Sequence, residues 1–279
     1  MTDPKTILIT GCSSGIGEAC ATGMKARGWR VFATARNAAD LARLTEAGLE
    51  ALYLDYREPD SIGAAFEAVM EATGGRLDAL VNNGAYAQPG ALEDLSLAAL
   101  REQFETNFFG WHELTRLAIP VMRRQGSGRI VMVSSILGLF AMGFRGAYST
   151  TKFAIEAYCD TLRIELAGSG IQVSAIEPGP IASRIGQNSI LAFHRHIDPE
   201  TSVHRSYYRR RLKGLESGGN TRGQLGPEAV LKVLVHAAEA RHPRPQYFVT
   251  YPTHLMGALR RLLPKRVLDR SAIRSSRNS

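Results

Sequence analysis

At 279 residues, with 44% hydrophobic and 22% charged side chains, the chain has the balance of a globular domain able to bury its own core, which excludes a disordered, collagen-like or disulfide-stapled protein. Its formal net charge of +8 is concentrated: residues 184–213 hold seven basic against two acidic side chains and residues 255–279 seven against one, which leaves the remainder mildly acidic. No helix-turn-helix, zinc-finger or aromatic RNA-binding pattern accompanies that charge, so nucleic acid is not expected; the charge can serve an anionic substrate, an anionic membrane surface or a protein partner, or simply be solvated.

The first residues carry an acid and a proline where a signal peptide would be basic and then apolar, and no run is long and apolar enough to cross a bilayer, so the cytoplasm is the expected compartment. Cys12, Cys20 and Cys159 are odd in number and lack paired spacing, which reads as three reduced thiols and no metal site. His194, His196 and His204 fall in an arginine-rich stretch and read as solvated loop residues.

In chain order, residues 5–10 read as a strand and 15–27 as a helix, joined by Thr10-Gly11-Cys12-Ser13-Ser14-Gly15-Ile16-Gly17. A glycine-rich turn that runs from a strand into a helix lets the backbone approach a pyrophosphate, and the helix N-terminus offers free N–H groups and the positive end of its dipole. Residues 29–35 form the next strand, which ends in Ala35-Arg36. An acid there would bond the adenosine ribose and repel a 2′-phosphate; a guanidinium suits the phosphate, so NADP(H) is expected over NAD(H).

Residues 49–54 read as a third strand, 59–72 as a helix opened by Pro59, 77–81 as a fourth strand, 96–124 as largely helical and 129–133 as a fifth strand. A long helix over 146–167 and a sixth strand over 171–176 follow. Short β-branched strands alternating with helices predict an α/β fold: a single-domain, doubly wound parallel sheet of the Rossmann type, reaching to about residue 250. After Pro178 the pattern loosens. Residues 184–226 read as a substrate loop with short helices over the active site, 227–240 as an amphipathic helix and 246–250 as a last strand. Residues 251–279 read as a basic C-terminal helix or tail whose apolar side (Leu255, Met256, Leu259, Leu262 and Leu263) is broken by Pro264. Packing on its own domain or a neighbouring subunit is the first reading of that helix, and a peripheral membrane contact is the rival.

Several motifs, in order and at matching intervals, resemble the short-chain dehydrogenases/reductases over nearly the whole length. They are the 10–17 loop, Asp55 after the third strand, Asn82-Asn83-Gly84-Ala85, Asn107, Ser134-Ser135, Tyr148-Ser149-Thr150-Thr151-Lys152 and Pro178-Gly179-Pro180-Ile181-Ala182-Ser183. Two departures stand out: the family usually reads Asn-Asn-Ala-Gly, and its last motif usually ends in threonine where this chain has Ser183. Both keep small size or the hydroxyl. The opening Gly-Cys-Ser-Ser and the Ala-Thr-Ala-Arg strand end are similar to the branch that includes 17β-hydroxysteroid and retinol dehydrogenases.

The resemblance implies hydride transfer between nicotinamide C4 and the carbonyl carbon of a ketone or aldehyde, or the matching alcohol, with the cofactor supplying the chemistry. It makes Tyr148 the acid/base. A free phenol titrates at roughly 10; Lys152, four residues on and on the same helix face, would favour its phenolate and hold the nicotinamide ribose. Ser135 is chosen over Ser134 by its interval to the tyrosine and would stabilise charge on the substrate oxygen. Asn107 would bend its helix and hold a water linked to the lysine. Gly11, Ser13, Ser14, Gly15, Ile16 and Gly17 would cradle the pyrophosphate, Asp55 the adenine edge and Asn82 the adenosine ribose. Pro178, Gly179, Ile181 and Ser183 would meet the carboxamide.

Ile185, Ile190, Leu191, Phe193, Tyr207 and Tyr208 among the arginines of the substrate loop suit a bulky apolar, steroid-, retinoid- or lipid-like substrate, with room for an acidic group. A 3-oxoacyl-thioester reductase remains the alternative activity, and a non-catalytic NADP(H)-binding redox sensor the alternative of another class. Related enzymes pair the helix over 146–167 across a dimer axis, so a homodimer or homotetramer is expected, with Ala154, Ile155, Ala157, Tyr158 and Leu162 on that helix.

Overall fold

The computed structural model describes residues 3–216 and 223–278. Seven strands, β1 (Thr6–Ile9), β2 (Arg30–Ala35), β3 (Glu50–Tyr53), β4 (Ala79–Asn82), β5 (Gly128–Val133), β6 (Ile171–Glu177) and β7 (Gln246–Phe248), form one sheet in the order β3-β2-β1-β4-β5-β6-β7. Every neighbouring pair is parallel; Ile7, for example, pairs with Val31 on one side and Ala79 on the other. The order reverses between β1 and β4, which opens a crevice at the carboxyl ends of those strands. This is the expected doubly wound Rossmann sheet.

Alternation along each strand divides the interior in two. Leu8, Phe32, Leu80 and Ile130 point to one face, against Ile62 of α3 (Pro59–Thr73), Trp111 of α5 (Gly110–Gln125) and Ile155 of α6 (Gly146–Glu165). Ile7, Ile9, Val31 and Val81 point to the other, against Met24 of α1 (Gly15–Ala26), Leu44 of α2 (Ala38–Glu46) and Leu234 of α9 (Glu228–Glu239). Both faces are apolar because both are roofed by helices.

Several elements differ from the sequence expectation. α2 was not anticipated, although Asn37 caps it by accepting a hydrogen bond from the Asp40 amide at 2.8 Å. The helical stretch after Ser96 consists of α4 (Leu97–Phe104), a π-helical turn at Glu105–Phe109 and α5. The short helices expected within the substrate loop over 184–226 are two of twelve residues each, α7 (Ile185–His196) and α8 (Arg205–Glu216), and its residues 217–222 lie outside the described part. The tail holds α10 (Tyr251–Leu262) and, beyond Pro264, an unanticipated α11 (Lys265–Asn278). α10 packs on β7: a Cβ on Gly257 would come within 2.5 Å of the Phe248 ring. Its outer face leaves Tyr251, Leu255 and Leu262 exposed. Among the described residues no helix is long and apolar enough to cross a membrane.

Candidate active site

The turn between β1 and α1 is built for close approach. Gly11 sits at φ +67° and Gly15 at +59°, a region that L side chains avoid. A Cβ on Gly17 would stand 2.2 Å from the Gly11 carbonyl oxygen, and one on Gly11 would stand 2.4 Å from Gly84 Cα. Gly84 is the residue that departs from the family pattern, and here two glycines meet face to face. The Asn83 side chain fastens the β4 loop to this turn by donating to the Thr10 and Gly11 carbonyls at 2.9 and 3.2 Å. Thr10 Oγ1 accepts the Asn83 and Gly84 amides. Ser14, the N-cap of α1, makes no side-chain cap bond, so the first-turn amides remain available to an anion. Donor set and steric clearance both fit a dinucleotide pyrophosphate.

At the end of β2, Arg36 projects with its side chain 56% exposed, 3.8 Å from Asp55 Oδ2. Asp55 is buried and held by Arg57, which reaches it with its backbone amide at 3.0 Å and Nη2 at 2.7 Å. Burial works to raise the Asp55 carboxyl, but Arg57 prevails and the net shift is downward, so it stays ionised. The Asn82 side chain is spent on the interior: Oδ1 accepts from Tyr56 and Nδ2 donates to Thr115 Oγ1 at 3.0 Å. What Asn82 can offer a ribose is therefore its backbone.

Tyr148, in the first turn of α6, is buried beside Ser135, the residue two beyond the end of β5. Ser135 hydrogen bonds to the phenol and its Oγ accepts the Leu137 amide at 3.1 Å. Ser134 Oγ is buried without a partner among the described residues, so the geometry distinguishes the two serines. Lys152, one turn along α6, is 1% exposed. It donates to the Val133 carbonyl at 2.8 Å, and its Nζ lies 4.4 Å from the Trp111 ring centroid and 5.5 Å from that of Tyr148.

Burial pushes the Tyr148 phenol up to about 12, opposed by the Ser135 hydrogen bond and the charge of Arg145. Burial likewise pulls the Lys152 ammonium down to about 7, opposed chiefly by Glu156. Arg145 is thus a second cation acting on the phenol, one the sequence does not point to; the Lys152 ammonium turns to a carbonyl and an indole face, with its Nζ still beside the Tyr148 ring. Asn107 lies in the π-helical turn, fully buried. Its Oδ1 accepts the Tyr86 amide at 3.2 Å, and its Nδ2 donates to the Tyr86 carbonyl at 2.9 Å and to Thr151 Oγ1 at 3.4 Å. It thus ties the loop after β4 to the turn of α6 that carries the tyrosine and lysine.

The turn after β6 closes the crevice. Pro178 accepts the Ile136 amide through its carbonyl at 2.8 Å, and Gly179 packs so tightly on Thr250 that a Cβ would meet its Oγ1 at 2.1 Å. Ile181 pairs with Leu225 in an isolated bridge, and Ser183 Cβ would lie 3.0 Å from a Cβ on Gly15. Over the site, Phe193 and Ile197 of α7 and Tyr208 of α8 form an apolar cluster with Phe144 and Tyr207, whose rings stack at 3.7 Å. Polar ties secure this cover: the Tyr208 hydroxyl donates to Asp94 Oδ2 and accepts the Ala91 amide, and His204 meets Glu93 at 2.7 Å. His196 meets Glu102, so His196 and His204 are fastened rather than merely solvated.

Arg57, Asn83, Trp111 and Arg145 escaped the sequence reading. Asn83 stood within a quoted motif. The others carry no local signal, since their roles arise from contacts across the fold. Among the described residues no group of side chains could hold a metal ion.

A family model described as short chain dehydrogenase matches residues 5–191. The chain is 40% identical over 267 residues to the uncharacterized oxidoreductase YbbO of Escherichia coli, covering 95% of this chain and 93% of that one. It is 34% identical over 255 residues to retinol dehydrogenase 8 of Bos taurus, covering 86% and 80%. Among solved structures, a single-substitution variant of the actinorhodin polyketide ketoreductase with NADPH superimposes with a TM-score of 0.72 at 28% identity, covering 88% of this chain and 96% of that one.

Proposed function

The chain belongs to the short-chain dehydrogenase family and is an oxidoreductase of that family, and on that premise we propose that it moves hydride between NADP(H) and a ketone or aldehyde, or the matching alcohol. The observation that carries the reading is the hydrogen-bonded Ser135–Tyr148 pair beside the crevice, with Lys152 one turn away. The bound nicotinamide supplies or takes the hydride. In the reducing direction Tyr148 gives its hydroxyl proton to the substrate oxygen, and Ser135 donates a hydrogen bond to that oxygen as charge develops. The phenolate left behind is favoured by Arg145. Lys152 holds a proton that can restore the phenol, and Asn107 positions that turn of helix through Thr151.

Gly11, Ser13, Ser14, Gly15, Ile16 and Gly17 would hold the pyrophosphate, Arg36 the 2′-phosphate, Asp55 the adenine and the Asn82 backbone the adenosine ribose. Pro178, Gly179, Ile181 and Ser183 would meet the carboxamide. Arg36 supports NADP(H) over NAD(H), and the NADPH complex of the ketoreductase is in keeping with it.

The aromatic cover supports a bulky apolar substrate. Arg145 adds an acidic group to that description: it is half-buried, and among the described residues the charges acting on it are Arg211, Tyr207 and Tyr148, with no carboxylate. A half-buried cation with no counter-ion among the described residues is costly, and a substrate carboxylate would relieve that cost. Residues 217–222 of the substrate loop lie outside this description.

The three buried, unpaired cysteines support a reducing compartment, the cytoplasm. A homodimer or homotetramer remains the proposed assembly, though Ile155 and Leu162 serve the core; Phe109 and Ile164 are the exposed apolar residues of that region. Titration with NADPH and NADH, followed by a carbonyl panel on the tighter complex, tests the function. Turnover that vanishes in Tyr148→Phe with NADPH binding retained is expected. Tight binding with no turnover on any carbonyl would favour the sensor reading.

A further inference from the structure

Two neighbouring carboxyl groups lie in the interior, one of them a turn of α6 beyond Lys152, and take no part in the reading above. Glu156 follows Lys152 by one turn of α6 and is 8% exposed; Glu177 ends β6 and is 0% exposed. One oxygen of each is accounted for: Glu177 Oε2 accepts the Tyr247 amide at 3.1 Å, and Glu156 Oε2 accepts Gln246 Nε2 at 3.4 Å. The Oε1 atom of each is buried and meets no protein donor among the described residues. The two carboxyls are close enough to interact. A buried carboxylate oxygen with no donor is costly and two neighbouring ones repel, so a proton held between the two Oε1 atoms would satisfy both. Burial and the neighbouring Glu156 hold the Glu177 carboxyl above the ordinary carboxylate range, in agreement with that arrangement.

The groups facing the pair are few. From α6 come Lys152, Cys159 and Arg163; from β7 come Gln246 and the Tyr247 amide. From the loop after β5 comes Ser134: a Cβ on Gly138 would lie 2.8 Å from Ser134 Oγ and 3.1 Å from Glu156 Cγ. Arg163 acts to ionise Glu177, and burial and Glu156 outweigh it. Gln246 and Arg163 also line a cleft of about 430 Å³ beneath α10, so the pair stands one side chain from an open surface.

We propose that Glu156 and Glu177 share one proton, and that the single negative charge of the pair, one helical turn from Lys152, keeps that lysine protonated in its buried seat. Both are positioning residues: they act on the reaction through Lys152. The kinetic consequence rests on the reading of Lys152 given above; the shared proton does not.

The test uses the full chain at neutral pH. Infrared spectra in H₂O and D₂O are expected to show the carbonyl stretch of an un-ionised carboxyl that shifts on deuteration and is lost in both Glu156→Gln and Glu177→Gln. Carbon-13 labelling of lysine Cε then follows Lys152 by NMR titration, with its resonance assigned by its absence in Lys152→Arg. The Lys152 midpoint is expected to fall by about one pH unit or more in Glu156→Gln, which removes the nearer charge. It should hold or rise in Glu177→Gln, where Glu156 remains as a full carboxylate. Should Glu156→Gln not fold, Glu156→Asp withdraws the charge by one methylene and should move the midpoint the same way.

A wild-type protein without the infrared band, or a band that survives both substitutions, overturns the shared proton. A Lys152 midpoint unmoved by substitution of Glu156 overturns the coupling. Neither readout needs turnover, so a protein inactive on every carbonyl would sink the proposed function and leave this test intact.

Discussion

Replacing Arg36 by alanine tests the cofactor preference most directly. A guanidinium about 4 Å from one phosphate charge, at an effective dielectric of roughly 20, is attracted by about 4 kcal/mol. The Arg36 side chain is 56% exposed and would give up its 3.8 Å approach to Asp55, so solvent screening and that exchange reduce the gain. What remains is about 1.5–3 kcal/mol, the range of a hydrogen bond to a charged group. NADPH affinity should therefore fall about 10- to 100-fold in Arg36→Ala, while NADH affinity changes by less than about twofold. Fluorescence titration of both cofactors at two salt concentrations measures this, and the wild-type preference for NADPH should shrink at the higher salt. Equal losses for both cofactors would mean that Arg36 supports the site only structurally. Unchanged NADPH binding, with the loss appearing instead in Arg57→Ala, would hand the phosphate to the neighbour that grips Asp55.

Lys152→Met should abolish turnover yet stabilise the fold. The folded lysine titrates at about 7 against an ordinary value of 10.5, so its burial penalty is complete below about pH 7 and fades as pH rises toward 10.5. After allowance for the Val133 carbonyl losing its donor, the gain at neutral pH is about 2 kcal/mol, or ~5 °C in melting temperature; a destabilised variant would contradict it. Glu177 has the opposite sign: its raised carboxyl costs no stability below about pH 4.5, where both states are protonated, and the cost grows as pH rises from there to its raised folded value, so Glu177→Gln should flatten the fall in thermal melts across that window. Gly17→Ala forces a Cβ to 2.2 Å from a carbonyl oxygen and should cost about 1–3 kcal/mol and more than tenfold in cofactor affinity. Gly63→Ala, with open space around it in α3, should stabilise by about 0.5–1 kcal/mol, and the contrast is read by thermal melts. Arg145→Met should weaken turnover of carboxylate-bearing substrates at least tenfold more than that of neutral ones; a uniform loss would leave Arg145 as a tuner of Tyr148 alone.

The sheet and most of its helices were legible because their signals are local and periodic. Ile7-Leu8-Ile9 alternates between two cores, and Pro59 opens α3 where a helix tolerates proline best. The phosphate turn and the Tyr148–Lys152 spacing were equally plain, since a turn and a single helix face fix them. What sequence could not convey is mostly long-range. Nothing near Arg57 says that it will hold Asp55, and nothing near Trp111 says that its ring will lie under the Lys152 ammonium. The expected lysine-to-phenol interaction followed from helix spacing alone, and the Val133 carbonyl, which redirects the ammonium, comes from a strand elsewhere in the chain. The stretch over 184–226 showed that it held short helices but not their bounds, because α8 is so rich in arginine that its apolar residues, among them Tyr208, leave little periodic trace.

The π-helical turn at Glu105–Phe109 is, in register, one residue too many in an otherwise regular helix. Excising a single residue from it should therefore repair the helix, letting α4 run into α5 without a bulge. The repaired chain would also rotate Asn107 by about 100°, away from Tyr86 and Thr151. A library of one-residue deletions across the protein would thus contain one conspicuous class: variants that fold at least as well as the parent and do nothing. Such a result would mark the bulge as a functional irregularity that drift toward a smoother helix tends to erase.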